Sequence, residues 1–234
     1  MANKIVIFDI EIEVIKKNIK NMHLTVLPPD GKVRITAPAS IKDDTIQSFA
    51  IDKIAWIKKQ IGKFENHQRQ TKREYVSGES HYVWGRRYRL ELRHNYSNKV
   101  EIEGDKLILT IRKDSTTQQR ENAMIEWYRK QLKEKLPELT EKWEKVIGIK
   151  ADTFRVKNML TKWGTCNIRD KRIWINLQLA KKPINCLEYV IVHELVHLLE
   201  KSHNSIFADY MNKFLPDWRM TKNELNNFTM DRYL

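Results

Sequence analysis

The chain has 234 residues, of which 41% are hydrophobic and 31% charged, with seven tryptophans and a net charge of +13. That length and hydrophobic share supply core for one large domain or two small ones and exclude a disordered chain. The basic excess is spread out, with 23 Lys/Arg against 15 Asp/Glu up to residue 120 and 20 against 15 beyond it, so it suits either an acidic partner such as nucleic acid or a nucleotide, or a plain solvated surface.

The start meets Asp9 and Glu11 before a continuous apolar stretch forms, which argues against a secretory signal, and no run approaches a membrane span. Cys166 and Cys186 have neither pairing nor ligand spacing, so reduced thiols in a cytoplasmic protein are expected.

Near-alternating Ile5, Ile7, Ile10, Ile12 and Val14, then Leu24–Leu27 and Val33–Thr36 about Pro28-Pro29-Asp30-Gly31, read as β-strands joined by a turn. Ile46, Phe49, Ala50, Ile54, Ile57, Ile61 and Phe64 recur at helical spacing and predict one amphipathic helix capped near Ser40 or Asp43. Lys53, Lys58, Lys59 and Lys63 lie on its other face, and Arg69, Lys72 and Arg73 follow in a polar connection. Alternation returns between Glu79 and Arg112, with turn residues at Gly85 and Gly104-Asp105; His81 and His94 sit singly in these strands, where a structural role is expected.

A long helix over about Ser115–Val146, broken or bent at Pro137, presents Ala123, Ile125, Trp127, Leu132, Leu136, Leu139, Trp143 and Val146. The expected fold class is α+β, with a mixed β domain carrying one helix over residues 1–114 and a compact C-terminal domain over 115–234. Thr153–Lys157 and Arg172–Leu177 read as strands flanking a hairpin-like connection over 161–170, and the second strand is a candidate edge for an extended peptide.

Pro183 opens a helix expected to run to about Glu200, and within it stands His193-Glu194-Leu195-Val196-His197. Residues four apart share one helix face, so His193 and His197 can aim imidazole nitrogens at one ion while Glu194 reaches a water beside it. Ile191, Val192, Leu195, Val196, Leu198 and Leu199 form a wide apolar stripe, so the pair is buried and needs partners. His203 is the candidate third ligand, placed at the start of a second helix over Ser205–Phe214, capped by Ser202 or Asn204 and ended by Pro216.

Lys162-Trp163-Gly164-Thr165-Cys166, Asn176-Leu177, the run Tyr189–Leu198 and His203–Phe207 together resemble the YgjP-like metallopeptidase-domain family. Arg34–Pro38, Ala55-Trp56-Ile57 and Trp84–Leu90 extend the resemblance over the front half; Thr165 stands where the family often has Ser. The resemblance implies a zincin-like, minigluzincin-type C-terminal domain related in plan to SprT-like proteins. It implies zinc held by His193, His197 and His203, with Glu194 as catalytic base; Glu200 is a candidate partner behind the ligands.

Three functions follow as expectations. One is a zinc hydrolase of the peptidase type acting on peptide or protein, with Trp163 and Asn176 orienting substrate. Another uses the same chemistry on a nucleoside triphosphate, clamped by Lys162, Arg155 and Arg172, although no Gly-rich phosphate loop is present. The third is a nucleic-acid-binding module with structural zinc.

Overall fold

A computed structural model describes residues 3–27, 31–65 and 73–228; the expected turn at Pro28-Pro29-Asp30 and the basic residues Arg69 and Lys72 lie outside them. The chain divides into two compact units at residues 71/72.

In the first unit the alternating run Ile5–Val14 is two strands, β1 (Asn3–Ile7) and β2 (Ile10–Lys17), which reverse at Phe8-Asp9 and pair Ile7 with Ile10. Phe8 takes φ +56°, the left-handed value that a two-residue hairpin turn requires. With β3 (His23–Leu27) and β4 (Lys32–Pro38) they form a sheet of order β1-β2-β4-β3, in which β2 and β4 are parallel. Alternation puts Ile12, Val14, Val33 and Ile35 on its buried face.

The expected single helix over this sheet is two, α1 (Asp43–Asp52) and α2 (Ile54–Glu65), broken at Lys53, whose N–H turns back to Ala50. Ile46, Ala50 and Ile57 continue one apolar face across the break, which is why the sequence periodicity does not reveal it. Neither expected cap is used: Lys42 holds that position without a side-chain bond, and Asp43 and Asp44 supply negative charge to the first turn.

The second unit repeats the same sheet plan. β5 (Ser80–Val83), β6 (Arg86–His94), β7 (Lys99–Glu103) and β8 (Lys106–Ile111) are ordered β5-β6-β8-β7, again with the inner pair parallel. Each sheet is followed in the chain by helix, so the two halves share a ββββα order that the sequence does not advertise. Here the helix is α3 (Thr117–Ile147), opened by a reciprocal Thr116–Gln119 capping box and closed by Gly148 at φ +78°. Pro137 lies inside it without ending it. Its buried face is Met124, Tyr128, Leu132, Leu136, Leu139, Trp143 and Ile147; the expected Ala123, Ile125 and Trp127 are partly buried and pack against the same core, while Val146 is exposed.

The divide expected at residue 114 falls inside this unit. Leu107 and Leu109 of β8 share one hydrophobic core with Leu132, Ile173, Ile175, Val190 and Ile191 further along, and a cut there would open that core to water.

The second half of the unit is β9 (Thr153–Lys157), β10 (Gly164–Asn167), β11 (Arg172–Asn176), a 3-10 turn (Leu177–Lys181), α4 (Ile184–Val196), α5 (Ser205–Phe214) and α6 (Trp218–Asn227). The strand order is β10-β11-β9, with β10 antiparallel to β11 and β9 parallel to it. The expected hairpin connection therefore contains a strand, and β11 is central; the edges are β10 and β9.

The hairpin between β5 and β6 anchors the approach to α4. Trp84 and Gly85 both have positive φ, and their N–H groups donate to the Ala180 and Lys181 carbonyls at 2.9 and 3.3 Å. A Cβ on Gly85 would lie 2.8 Å from Pro183 Cγ and 3.1 Å from Pro183 backbone. Gly85→Ala is expected to destabilise the protein by about 1–3 kcal/mol, read as a lower urea midpoint.

His81 in β5 is fully buried, with Nε2 3.3 Å from a Glu79 carboxylate oxygen. That contact would favour imidazolium, yet burial, with the Arg73 and Lys181 charges adding to it, pushes its pKa down to about 3. The ring is therefore neutral and donates to Glu79. A depressed histidine contributes stability that is present above about 6.5 and lost as pH falls toward about 3, at a slope approaching ~1.4 kcal/mol per pH unit. Urea midpoints of His81→Asn are expected to depend less on pH across that window than those of the parent.

Candidate metal centre

α4 places nine buried residues around its axis, Val192, Leu195 and Val196 among them, so the helix is embedded; of its polar residues, Asn185 and Glu188 are taken up by Glu224 and Lys142, and His193 and Glu194 open on a cleft at one side. His193 and His197 stand on that side, their rings 4.9 Å apart. α4 ends with His197 as its C-cap, earlier than the expected Glu200, because Leu198 and Leu199 tighten the last turn by bonding the Leu195 and Val196 carbonyls. This early stop lets the chain fold back.

Asn204 then caps α5, its side chain accepting the Phe207 N–H at 3.0 Å, and α5 spans Ser205–Phe214 as the sequence predicts. The turn carries His203 to the helical pair, with Nε2 3.0 Å from His193 Nε2. One ligand nitrogen from each histidine falls within 4.8 Å of the others, close enough to hold one metal ion.

The surroundings fit that use. His197 Nδ1 lies 3.2 Å from the Glu200 carbonyl, which fixes Nδ1 as donor and leaves Nε2 a bare lone pair. Glu200 thus supports the ligand through its backbone; its carboxylate accepts the Ser202 N–H instead. Phe207 is the floor, with ring centroids 5.0, 4.8 and 4.7 Å from those of His193, His197 and His203. Burial, followed by the neighbouring histidines, lowers the His193 pKa to about 3, and burial lowers that of His197, so both rings are neutral and able to ligate near neutrality. Burial pushes the Glu194 carboxyl the other way, to about 8, with the Lys162 ammonium opposing.

The cleft beside His193 and Glu194 is about 210 Å³ and is also lined by Lys162, Trp163, Gly164 and Tyr189, with Lys222, Leu225 and Asn226 from α6. Lys162 and Trp163 are where the sequence suggests. Asn176 is not: it is fully buried, and its Nδ2 donates to the Met159 and Lys162 carbonyls at 2.8 and 2.7 Å. It also caps the 3-10 turn by accepting the Gln178 N–H, so it holds the loop that presents Lys162 and does not line the cleft. Arg155 stacks over Trp174 and Arg172 pairs with Asp170 at 2.8 Å; neither lines the cleft.

Four residues stand at the site without a role assigned from the sequence. Tyr189 stands one turn before His193, with ring centroids 5.7 Å apart, a spacing that helical periodicity could have revealed. Phe207 closes one of the matched runs with no sign of its place under the histidines, and Lys222 carries no motif signal. Gly164 is visible only through what faces it, since a Cβ there would lie 2.6 Å from Glu194 Oε1 and 2.7 Å from Val190 Cγ1.

Both cysteines are free, and no helix among the described residues is long and apolar enough to cross a membrane. No curated protein matches the chain. Among solved structures it is similar to the metallopeptidase zymogen of Pyrococcus abyssi abylysin, at 17% identity over 38% of this chain and 90% of that one, with a TM-score of 0.36. It is also similar to the zymogen of Methanocaldococcus jannaschii jannalysin, at 18% identity over 38% and 92%, with a TM-score of 0.35. The model of the YgjP-like family, metallopeptidase domain, matches residues 20–228, and the chain belongs to that family.

Proposed function

We propose that the protein is a zinc-dependent hydrolase of the peptidase type, in which His193, His197 and His203 hold the ion and Glu194 is the general base. The observation that carries this reading is convergence: three ligand nitrogens lie within 4.8 Å of one another, and a nearly buried carboxylate follows the first of them on the same helix. Three imidazoles suit zinc and leave one position open. When bound, zinc acidifies a water toward neutral pKa and polarises the electrophile.

Glu194 takes the proton of the attacking water on a carboxylate oxygen and returns it to the leaving group. Its carboxylate has no hydrogen-bond partner among the described residues, so both oxygens are available for that transfer. Gly164 leaves room for it, and Trp163 and Tyr189 line the same cleft. The edge strand β10 offers unpaired main-chain groups beside α4, where an extended peptide can pair.

A second reading keeps the same residues and changes the electrophile to a nucleoside triphosphate, with release of pyrophosphate. Lys162 and Lys222 favour it, because two cations in one small cleft suit a phosphate chain. Zinc-loaded and chelated protein should be incubated with a peptide panel and a nucleotide panel, scoring new peptide ends and pyrophosphate. Metal-dependent peptide cleavage is the expected result; pyrophosphate release with intact peptides replaces the first reading by the second, and inertness to both panels removes the hydrolase.

A further inference from the structure

The cationic side chains lining the cleft are two lysines, and Glu194 is its one carboxylate. Lys162 comes from the loop before β10, and Lys222 from α6, two elements that pack against α4. Neither ammonium has an ion-pair partner among the described residues; Lys222 lies over the Trp218 ring at 5.3 Å. Elsewhere Lys16, Lys99, Lys106 and Lys142 meet carboxylates at 2.6–2.7 Å, so this chain readily pairs its lysines where an acid is within reach.

A solvated-face role explains one exposed lysine. It does not explain two in the mouth of one cleft, with no carboxylate there except the group at its base. Two cations lining one cleft give it a positive potential, which attracts an anion.

We propose that Lys162 and Lys222 form a subsite for an anionic group of the substrate, either the carboxylate of an acidic peptide residue or a phosphate. That this group flanks the bond to be broken rests on the hydrolase reading; anion binding itself does not. The two lysines then select substrate by charge, and Trp163 gives the flanking apolar portion a surface.

The test is a calorimetric titration of zinc-loaded Glu194→Gln protein with pentaglutamate, pentaglutamine and tripolyphosphate. One of the two anions is expected to bind about tenfold tighter than pentaglutamine, losing that margin as salt rises. Lys162→Met and Lys222→Met should each weaken it about two- to fivefold, the scale of a solvent-exposed ion pair, and the double variant should erase the preference. The anion that binds tighter names the source.

Equal binding of all three probes overturns the subsite, as does an unchanged preference in a double variant whose thermal melt matches the parent. Anion preference without turnover on either substrate panel leaves the subsite standing and removes the hydrolase. Turnover without anion preference does the reverse.

Discussion

Glu194→Gln is expected to lower turnover about 10³-fold while the protein stays folded and still binds metal. The amide has the carboxylate's volume, so Val190 and Gly164 keep their contacts with it. What it lacks is a lone pair basic enough to take a proton. A residue needed for ligation would lose metal when changed; a base loses rate alone, so bound zinc and turnover must be measured on the same sample.

The same substitution has a stability signature. Burial raises the Glu194 pKa to about 8, so the metal-free fold favours the protonated carboxyl. An acid with a raised folded pKa contributes stability that is present below about 4.5, its unfolded value, and lost as pH rises through about 8. Chelated parent protein should therefore lose urea resistance between pH 5 and 8 through this group, and chelated Glu194→Gln should lose less. Unchanged turnover in the variant would remove Glu194 from the chemistry.

The parts of this site legible in the sequence are those written in local spacing. His193 and His197 are four apart on a helix, and Asn204 precedes an apolar run that Pro216 follows, so α4 and α5 can be read residue by residue. Helix ends governed by the last turn cannot, which is why α4 stops at His197 and not at Glu200. The parallel pairings β2 with β4 and β6 with β8 leave no local mark, because each joins strands separated by a third. Register decides which way a polar side chain points: Asn176 ends β11 with its side chain buried, where it binds the Lys162 loop. In the first turns of α3 the apolar Ala123, Ile125 and Trp127 flank Met124 and Tyr128, and packing alone decides that the latter two are fully buried and the other three partly so.

Gly164 tests how closely the β10 backbone must approach the base. Its own φ is not in the left-handed region, so backbone conformation does not require glycine there; the requirement is space. A Cβ would meet Glu194 Oε1 at 2.6 Å, Val190 Cγ1 at 2.7 Å and Glu194 Cγ at 2.8 Å. Val190 is buried and cannot swing aside, whereas the Glu194 carboxylate can rotate. Gly164→Ala is thus expected to relieve the clash mainly by moving the carboxylate, with a stability cost of about 1–3 kcal/mol. Because displacement of a reacting group by about 1 Å can cost about 10²-fold, turnover should fall by that order with zinc content unchanged. Combining Gly164→Ala with Glu194→Gln separates this from general damage: a displaced base has nothing further to lose, so the double variant should match Glu194→Gln alone. A further hundredfold loss in the double variant would mean that Gly164 serves substrate binding along β10 and not the placement of Glu194.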